Sequence, residues 1–262
     1  MQTRDQVLEV WGELACFTQP PFKVERLSYP VITPSAARGI YDAIYCKPSQ
    51  DPANAEFRWQ VTRVEILPPR NAANSNAGCL TYPNYIALRR NEVKDKISVK
   101  AAVAWMLGKE HPKPIWADGD SDMLGTDQKG RTQRQTMALK NVRYRLTAQV
   151  RPWPGFEGQV EAFESCFRRR AQHGKCIYQP YFGCREFPAY FEWVEPQAPH
   201  PDPLPVNMDL GLMLYDVFDL SQPGSPEDIP CISLFRAVVQ GGVLEVPPYE
   251  SAEVLKGVRR ER

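Results

Sequence analysis

The sequence predicts an α+β fold in which strands and helices follow one another in the order βαββαβ. Three observations favour this fold. Residues 141–151 alternate strictly between apolar and polar side chains, which is the period of a half-buried strand. Thr33 and Pro34 open a stretch with helical apolar spacing, because Thr is a common N-cap and Pro suits the first helical position. Five prolines between residues 195 and 205 mark a linker ahead of further short strands.

The first three elements of this order lie before residue 68. Residues 7–17 carry apolar side chains on both faces, which predicts a central strand. The helix begins at Pro34 and is expected to end at residues 45–47, because Pro48 stops it. Residues 57–67 then return as the second strand.

A long insertion, which we place at about residues 68–140, separates the second strand from the third. Within it, residues 85–100 alternate like one arm of a β-hairpin, and residues 130–140 are expected to form the returning arm. Extended basic hairpins of this kind suit contacts with a nucleic-acid backbone.

The third strand, residues 141–151, carries a basic face opposite its apolar face. An apolar helical stripe from Val160 to Ala171 follows, with Gly174 as the expected C-cap. Residues 185–196 are expected to form the last strand, which Arg185 opens. This order is that of a ferredoxin-like (RRM-like) domain.

The domain organisation follows from this order and from the proline-rich stretch. We expect a ferredoxin-like domain over residues 1–195, a linker at 196–205, and a small antiparallel β domain at 206–262. Its strands are expected within residues 209–220 and 231–248, around a Gly241-Gly242 turn.

Charge is unevenly distributed along a chain whose formal net charge is only +1. The segment from Lys129 to Arg185 holds twelve Lys or Arg and three acids, a net +9, which leaves −8 for the rest. Because these cations are not interleaved with acids, the segment predicts a basic surface that meets a polyanion. A merely solvated charged face is the alternative.

Several classes of protein are not expected from this sequence. Seven scattered cysteines without a CxxC pair, and three histidines away from zinc-ligand spacing, predict reduced thiols and neither a metal nor a cofactor. No apolar run reaches the length of a membrane span, and the N-terminus lacks a signal-peptide block, so we expect a cytoplasmic protein with no membrane partner. Nucleotide-binding and hydrolase motifs are absent, which favours recognition or phosphodiester chemistry without a nucleotide cofactor.

Four stretches carry a family resemblance: residues 11–18 (WGELACFT), 23–29 (KVERLSY), 34–48, and 168–170 together with 179–187 (QPYFGCREF). With RRNEV at residues 89–93, they resemble the CRISPR-associated Cas-five proteins of type I-C systems, subtype d (or c). The resemblance spans nearly the whole chain, and its motifs are specific in combination.

This resemblance implies a ferredoxin-like domain, a small β domain and a function in CRISPR RNA processing. Members of the family bind CRISPR repeat RNA and cut the precursor at each repeat stem-loop without a metal. The ribose 2′-hydroxyl attacks the adjacent phosphate, which leaves a cyclic phosphate and a free 5′-hydroxyl. The 5′ handle of the crRNA then stays in a surveillance complex (Cascade), beside the backbone and large subunits, through which target DNA is met.

The resemblance also implies where proton transfer takes place. An aromatic or His residue at the end of the first helix matches Tyr45, the candidate catalytic residue. A Lys-His pair precedes the basic run in the family, where this chain has Ala162 and Phe163. His173, the one histidine of the basic segment, is a second candidate base. As alternatives, Tyr45 packs against the sheet and His173 is favoured by the helix dipole.

Cations along the chain are expected to contact RNA phosphates. The predicted RNA-binding residues are Arg38, Lys47, Arg89, Arg90, Lys94, Arg131, Arg134, Arg143, Arg145, Arg168, Arg169, Arg170 and Arg185.

Three functions remain open from the sequence. The chain is an endoribonuclease that matures CRISPR RNA, or a non-catalytic subunit of the same complex that only binds the handle. A general RNA-binding protein of the RRM class is the third, and the lack of an RNP-like aromatic strand signature argues against it.

Overall fold

The computed structural model describes residues 3–22, 24–46, 55–70, 82–93, 98–111, 131–195, 199–224 and 230–257. Its elements are, in chain order, β1 (Gln6–Ala15), β2 (Arg26–Leu27), α1 (Pro34–Ile44), β3 (Phe57–Ile66), β4 (Tyr85–Val93), α2 (Val99–Met106), β5 (Arg131–Pro152), a 3₁₀ turn (Glu157–Gln159), α3 (Val160–Gln172), β6 (Tyr190–Trp193), β7 (Met208–Asp216), β8 (Ser233–Gln240), β9 (Val243–Glu245) and β10 (Val254–Lys256). None of the helices in these ranges is long and apolar enough to cross a membrane.

The chain forms two compact units. The larger comprises Met1–Ile86 and Met137–Arg262, and the smaller is Ala87–Thr136, which contains α2 and most of β4. The fold is a mixture of a few helices and a large sheet whose main path runs β10-β8-β9-β3-β5-β1-β6. Neighbouring strands on this path are antiparallel. The smaller unit lies within the span predicted as an insertion.

An aromatic cluster joins α1 and α3 to one face of the sheet. The ring centroid of Tyr41 on α1 lies 5.0 Å from that of Trp59 on β3 and 5.3 Å from that of Phe167 on α3. All three side chains are fully buried. The Tyr41 hydroxyl lies 2.9 Å from the carbonyl oxygen of Gln6 and 2.8 Å from that of Leu146, so the helix is also tied to β1 and β5. Burial and hydrogen bonding together fix both helices on this face.

The predicted helix starts and the main strands are confirmed. Thr33 caps α1, since its side chain accepts a hydrogen bond from the Ala36 N–H at 3.2 Å, and Pro34 occupies the first turn. Gly174 follows α3 with a φ of +63°. The strands predicted at 7–17 and 57–67 are β1 and β3, and the Gly241-Gly242 turn joins β8 to β9.

Three predicted elements were wrong in extent or type. The returning arm at 130–140 and the third strand form one continuous strand of 22 residues, β5. Part of the predicted arm at 85–100 begins α2 instead, because the Ser98 side chain caps this helix by accepting from the Ala101 N–H at 3.1 Å. The last strand is only Tyr190–Trp193, and Arg185 lies in a turn that the Phe187 N–H closes on the Cys184 carbonyl at 2.9 Å.

The C-terminal strands belong to the same sheet as the N-terminal strands. β9 pairs with β3 through Arg63–Glu245, Val64–Leu244 and Glu65–Val243. The Leu204 N–H donates to the Ile66 carbonyl at 2.8 Å, so the proline-rich stretch also hydrogen-bonds to β3. The boundaries of a separate C-terminal domain remain a prediction.

A glycine allows the turn after α3 to approach the end of β1. The Cys16 N–H donates to the Phe182 carbonyl at 3.1 Å, and Gly183 has a φ of +77°. A Cβ atom at position 183 would lie 2.1 Å from the Cys16 carbonyl oxygen. Both the backbone conformation and the close approach therefore require glycine here.

We expect Gly183→Ala to destabilise the protein far more than Gly211→Ala, as measured by urea unfolding. Gly211 has a similar φ of +66°, but a Cβ atom at this position would have nothing within 4 Å, so its substitution costs only the left-handed strain of about 1–2 kcal/mol. Displacing the Cys16 carbonyl adds a further ~1–3 kcal/mol at position 183. Equal losses for the two variants would show that the close approach imposes no constraint.

Candidate functional site

The candidate site lies where the C-terminal end of α1 meets α3. Tyr45 is the C-cap of α1; its N–H donates to the Tyr41 carbonyl, and its own carbonyl accepts from Trp59 Nε1, both at 2.9 Å. Its ring lies 5.6 Å from the ring of Phe57, and the residue is 8% exposed. The hydroxyl lies close enough to the Cys166 thiol on α3 for that thiol to raise its pKa. Contacts on three sides therefore hold the phenol in place.

One stripe of α3 adjoins this helix end. Cys166, Arg169, Arg170 and His173 recur at spacings of three and four, so they share one side of the helix. Arg170 Nε donates to the Ile44 carbonyl at 2.6 Å, which satisfies an acceptor at the end of α1. From Cys166 to His173 the helix rises by about 10 Å. The fold thus brings Tyr45 and the basic end of α3 into one region.

The environment of Tyr45 keeps its hydroxyl protonated. Burial raises the pKa of Tyr45 well above its usual range, the Cys166 thiol raises the pKa further, and the Arg170 guanidinium offsets only part of this. At neutral pH the phenol is therefore a hydrogen-bond donor and not a base. In the unfolded chain its pKa is ~10, so the stability gained from the protonated phenol is complete below that pH and declines as the pH rises above it.

His173 is exposed at the C-terminal end of α3. Its Nδ1 lies 2.7 Å from the Arg169 carbonyl oxygen. Because a carbonyl only accepts, Nδ1 carries the proton, and in the neutral ring Nε2 is left with its lone pair. His173 is also the C-cap residue of α3, a position where the helix dipole favours a cation, and both its structural role and its role as a base remain predictions.

A loop that the sequence analysis did not single out crosses the end of α1. The Ile177 N–H donates to the Ala43 carbonyl at 2.6 Å. Next to it, burial and the Asp42 carboxylate raise the pKa of the Tyr178 hydroxyl to about 12, and the same two causes raise the pKa of the Cys46 thiol to about 11. No spacing in the sequence relates Tyr178 to α1, because the contact arises only from the tertiary fold.

The basic face predicted for residues 141–151 is paired with acids in the fold. Arg143 donates to both carboxylate oxygens of Glu9 at 2.8 and 2.9 Å, and Arg145 pairs with Glu65 at 2.5 Å. The acids come from the strands on either side, since Glu9 on β1 and Glu65 on β3 are both register partners of Arg145. The Arg145 and Glu65 side chains are each 12% exposed. Both arginines thus form ion pairs between neighbouring strands of the sheet, and their contact with RNA remains a prediction.

Arg38 on α1 is also engaged within the protein. Its Nε donates to Asp216 at 2.9 Å, and its Nη1 donates to Asp42 at 2.8 Å. Asp216 is 1% exposed, so this arginine compensates a buried charge that links α1 to β7.

The other predicted cations are spread over the chain. Arg169 and Arg185 are exposed, and within the described ranges Arg185 contacts no acid. The Arg168 guanidinium lies 5.9 Å from the ring centroid of Trp193. Arg89 is exposed in the smaller unit, and Arg134 on β5 has an interaction partner. Lys47, Lys94 and the side chains of Arg90 and Arg131 lie outside the described residues.

The cysteines that the structure describes are free thiols. They are Cys16, Cys46, Cys166, Cys176, Cys184 and Cys231. Across the described ranges no three His, Cys, Asp or Glu side chains are grouped so as to hold a metal ion.

A family model and two similar proteins point to the same family. The family model for Cas5d, described as CRISPR-associated protein (Cas_Cas5), matches residues 7–247. A protein of Mannheimia succiniciproducens named CRISPR pre-crRNA endoribonuclease Cas5d is 34% identical over 257 residues, which cover 94% of this chain and 96% of that protein. A protein of the same name from Thermus thermophilus is 34% identical over 261 residues, covering 95% of this chain and 94% of that protein.

A solved structure shares the fold. The crystal structure of a CRISPR-associated protein covers 97% of both chains with a TM-score of 0.55 and 18% identity. At this identity the likeness concerns the fold alone.

Arg145→Met is expected to lower the free energy of unfolding by about 2–3 kcal/mol, because it leaves the Glu65 carboxylate largely buried with only Arg63 as a partner. Arg185→Met is the control, since this exposed arginine has no acidic partner in the described part of the chain and its loss should change stability by no more than ~0.5 kcal/mol. Urea unfolding of the two variants measures both. Equal, small effects would place the Arg145 pair among weak surface ion pairs.

Proposed function

The chain belongs to the CRISPR-associated Cas5 family, in its Cas5d branch, and on that premise we propose that it is an endoribonuclease that cuts pre-crRNA at the repeat stem-loop and retains the 5′ handle. Both relatives, which align over nearly their whole length, are named for cleavage of pre-crRNA. The observation that carries the proposal is the meeting of Tyr45 with the basic stripe of α3 at the end of α1.

The proposed reaction is an attack of the ribose 2′-hydroxyl on the adjacent phosphate. The new bond closes a 2′,3′-cyclic phosphate, and the broken bond releases the 5′-oxygen of the next nucleotide. This step needs a base for the 2′-hydroxyl, an acid for the leaving oxygen, and positive charge beside the phosphorane. None of these roles requires a metal ion, and we propose that the cleavage is metal-independent, as the family resemblance implies.

Tyr45 supports the role of acid or hydrogen-bond donor. Its raised pKa keeps the proton on the hydroxyl, which favours hydrogen-bond donation and makes the phenol a weaker acid than an ordinary tyrosine. The Phe57 ring packs against the phenol and Trp59 Nε1 holds the backbone carbonyl of Tyr45, so the donor is fixed before the substrate arrives. Ionisation of the phenol as a base would cost free energy in this buried position.

His173 and the neighbouring arginines support the two remaining roles. The neutral ring of His173 has Nε2 available as a base, because Nδ1 is engaged by the Arg169 carbonyl. Arg170 uses Nε for the Ile44 carbonyl, and within the described ranges its two Nη groups donate to no other acceptor. Arg169 is exposed one residue earlier. Two guanidinium groups are therefore placed to neutralise a phosphate.

A non-catalytic subunit that only binds the handle is the second candidate function. Tyr45 is only 8% exposed and lies beside Cys166, which favours a packing role for it. Of the two positions that match the family's Lys-His pair, Phe163 is a core residue, with its ring 4.8 Å from that of Phe57. Neither Ala162 nor Phe163 transfers protons.

The ferredoxin-like (RRM-like) assignment and the assembly complete the proposal. The strand order β3-β5-β1-β6, with α1 and α3 packed on one face, supports a βαββαβ domain over residues 1–195. A small β domain at 206–262 after a linker at 196–205 remains part of the proposal. The resemblance implies that the protein sits beside backbone and large subunits in a surveillance complex, through which it meets target DNA.

The experiment that separates the two functions is incubation of the purified protein with its own repeat RNA in EDTA. We expect one cut at the stem-loop, with a cyclic phosphate on one product and a 5′-hydroxyl on the other. A 2′-deoxy substitution at the scissile nucleotide should abolish the cut. Tight binding of RNA that stays intact would instead establish the non-catalytic function.

Tyr45→Phe is expected to lower the cleavage rate by ~10²–10⁴, the usual loss of an acid or base, while RNA affinity changes little. The variant keeps the ring and its packing against Phe57, so a loss of activity reports on the hydroxyl and not on a disturbed fold. Single-turnover rates with excess protein measure the step directly. Wild-type cleavage by the variant would make Tyr45 structural, and His173→Gln would then be the next variant to assay.

Arg185→Ala is expected to weaken binding of the handle RNA and to reduce the slope of log affinity against log salt by ~1, because one fewer phosphate contact releases one fewer counterion. Its turn position and exposure leave the fold intact, which circular dichroism checks. Arg143→Ala is the comparison, since this arginine pairs with Glu9. An unchanged salt slope for Arg185→Ala would remove this residue from the RNA-binding surface.

A further inference from the structure

A cavity of about 240 Å³ opens beside the N-terminal half of α1. One wall is the side of α1 formed by Ser35, Ala36 and Gly39, and the opposite wall includes Tyr181 and Gly183 from the turn that approaches β1. This volume is smaller than the ~300–1,000 Å³ of sites for drug-sized ligands, so the cavity suits a single ring system.

The lining of the cavity combines apolar and polar groups and carries no charge. Hydroxyl groups come from Thr18, Thr33, Ser35 and Tyr181, and no carboxylate, ammonium or guanidinium group lines it among the described residues. Within those residues, the hydroxyls of Ser35 and Tyr181 have no hydrogen-bond partner. A neutral planar group with hydrogen-bonding edges fits such a lining, whereas a phosphate would lack a counter-charge there.

The cavity and the Tyr45 site both lie along α1. Ser35, Gly39 and Asp42 are spaced by four and three residues, so they follow one another along the same side of the helix. Tyr181 and Asp42 both lie close enough to Tyr178 to affect its pKa, and from Gly39 to Tyr45 the helix rises by about 9 Å. The cavity and Tyr45 are therefore about two helical turns apart along α1.

We propose that this cavity receives one unpaired nucleobase of the bound RNA, close to the bond that is cut. This inference rests on the proposed function. The ring of Tyr181 provides a stacking surface, and the free hydroxyls of Ser35 and Tyr181 provide hydrogen bonds to the base edge. The cavity thus adds recognition of a base to a site whose other contacts are with the backbone of the RNA.

Gly39 gives direct experimental access to the cavity. A Cβ atom at this position would have no atom within 4 Å, so a side chain there projects into open space. Gly39→Leu fills the cavity, whereas Gly39→Ala adds one methyl group and serves as the matched control. Both substitutions suit the middle of a helix, where glycine is unfavourable, so the fold should be retained. Tyr181→Ala, which removes the stacking ring, is the independent second variant.

The assay measures dissociation constants for handle RNA made uncleavable by a 2′-deoxy substitution, with a single abasic site moved through its unpaired nucleotides. For the wild type, we expect one abasic position to weaken binding about 10-fold, which is within the range of one stacked base. Gly39→Leu should weaken binding of intact RNA by a similar factor. This variant should then bind the RNA with that abasic site no more weakly than it binds intact RNA. Tyr181→Ala should behave in the same way, and Gly39→Ala like the wild type.

Three results would overturn the inference. In the first, Gly39→Leu binds intact RNA with the affinity of the wild type. In the second, the loss of affinity caused by Gly39→Leu multiplies with the loss caused by every abasic site, as for independent contacts. In the third, no abasic position weakens binding to the wild type. In each case the wild type still binds handle RNA, so the proposed function stands. A wild type that binds none of these RNAs overturns the proposed function and the base site with it.

Discussion

The packing of three aromatic rings determines where the candidate site lies. Tyr41, Trp59 and Phe167 meet at centroid distances between 4.6 and 5.3 Å and bring α1, β3 and α3 into one core. Because this packing fixes the positions of α1 and α3, the end of α1 that carries Tyr45 lies beside Cys166 and Arg170 of α3 without any loop having to move. The hydrogen bond from Trp59 Nε1 to the Tyr45 carbonyl extends the same core to the site. Rigid elements, and not loops, therefore set the geometry of the proposed chemistry.

The two faces of the sheet have different electrostatic roles. On the face away from α1 and α3, Arg143 and Arg145 are paired with acids, and the Arg70 guanidinium lies 3.3 Å from the ring centroid of Trp11. Proteins of the RRM class stack RNA bases on aromatic residues of this face. Here cross-strand contacts within the protein occupy it, which argues against a general RRM-type function. Cations that have no acidic partner among the described residues, such as Arg169 and Arg185, lie in α3 and in the turn that follows it.

Local patterns in the sequence predicted the local structure well. Thr33 and Pro34 identified the start of α1, and the alternation after Asn141 identified the core face of β5, because caps and strand periodicity depend on neighbouring residues. The continuity of β5 was missed because Asn141, with a φ of +55°, interrupts the alternating pattern without ending the strand.

The candidate site was predictable only in part. Tyr45 was identified through a family motif, whereas Tyr178 and the cavity near Tyr181 arise from a loop that folds back over α1. Net charge along the segment overstated the basic surface for a related reason, since Glu9 and Glu65 are distant in sequence but adjacent across the strands. Pairing over such separations cannot be inferred from a count of charges.

The pairing of β9 with β3 has a consequence for how the chain folds during synthesis. Between them lie about 180 residues, so the part of the β3 edge that pairs with β9 has its backbone N–H and C=O groups unpaired until nearly the whole protein has left the ribosome. An exposed strand edge invites pairing with other chains, and contacts of such high contact order form slowly. A premature stop before Val243 would leave that edge open permanently. Truncated chains should therefore be prone to aggregation even though every residue of the Tyr45 region is present.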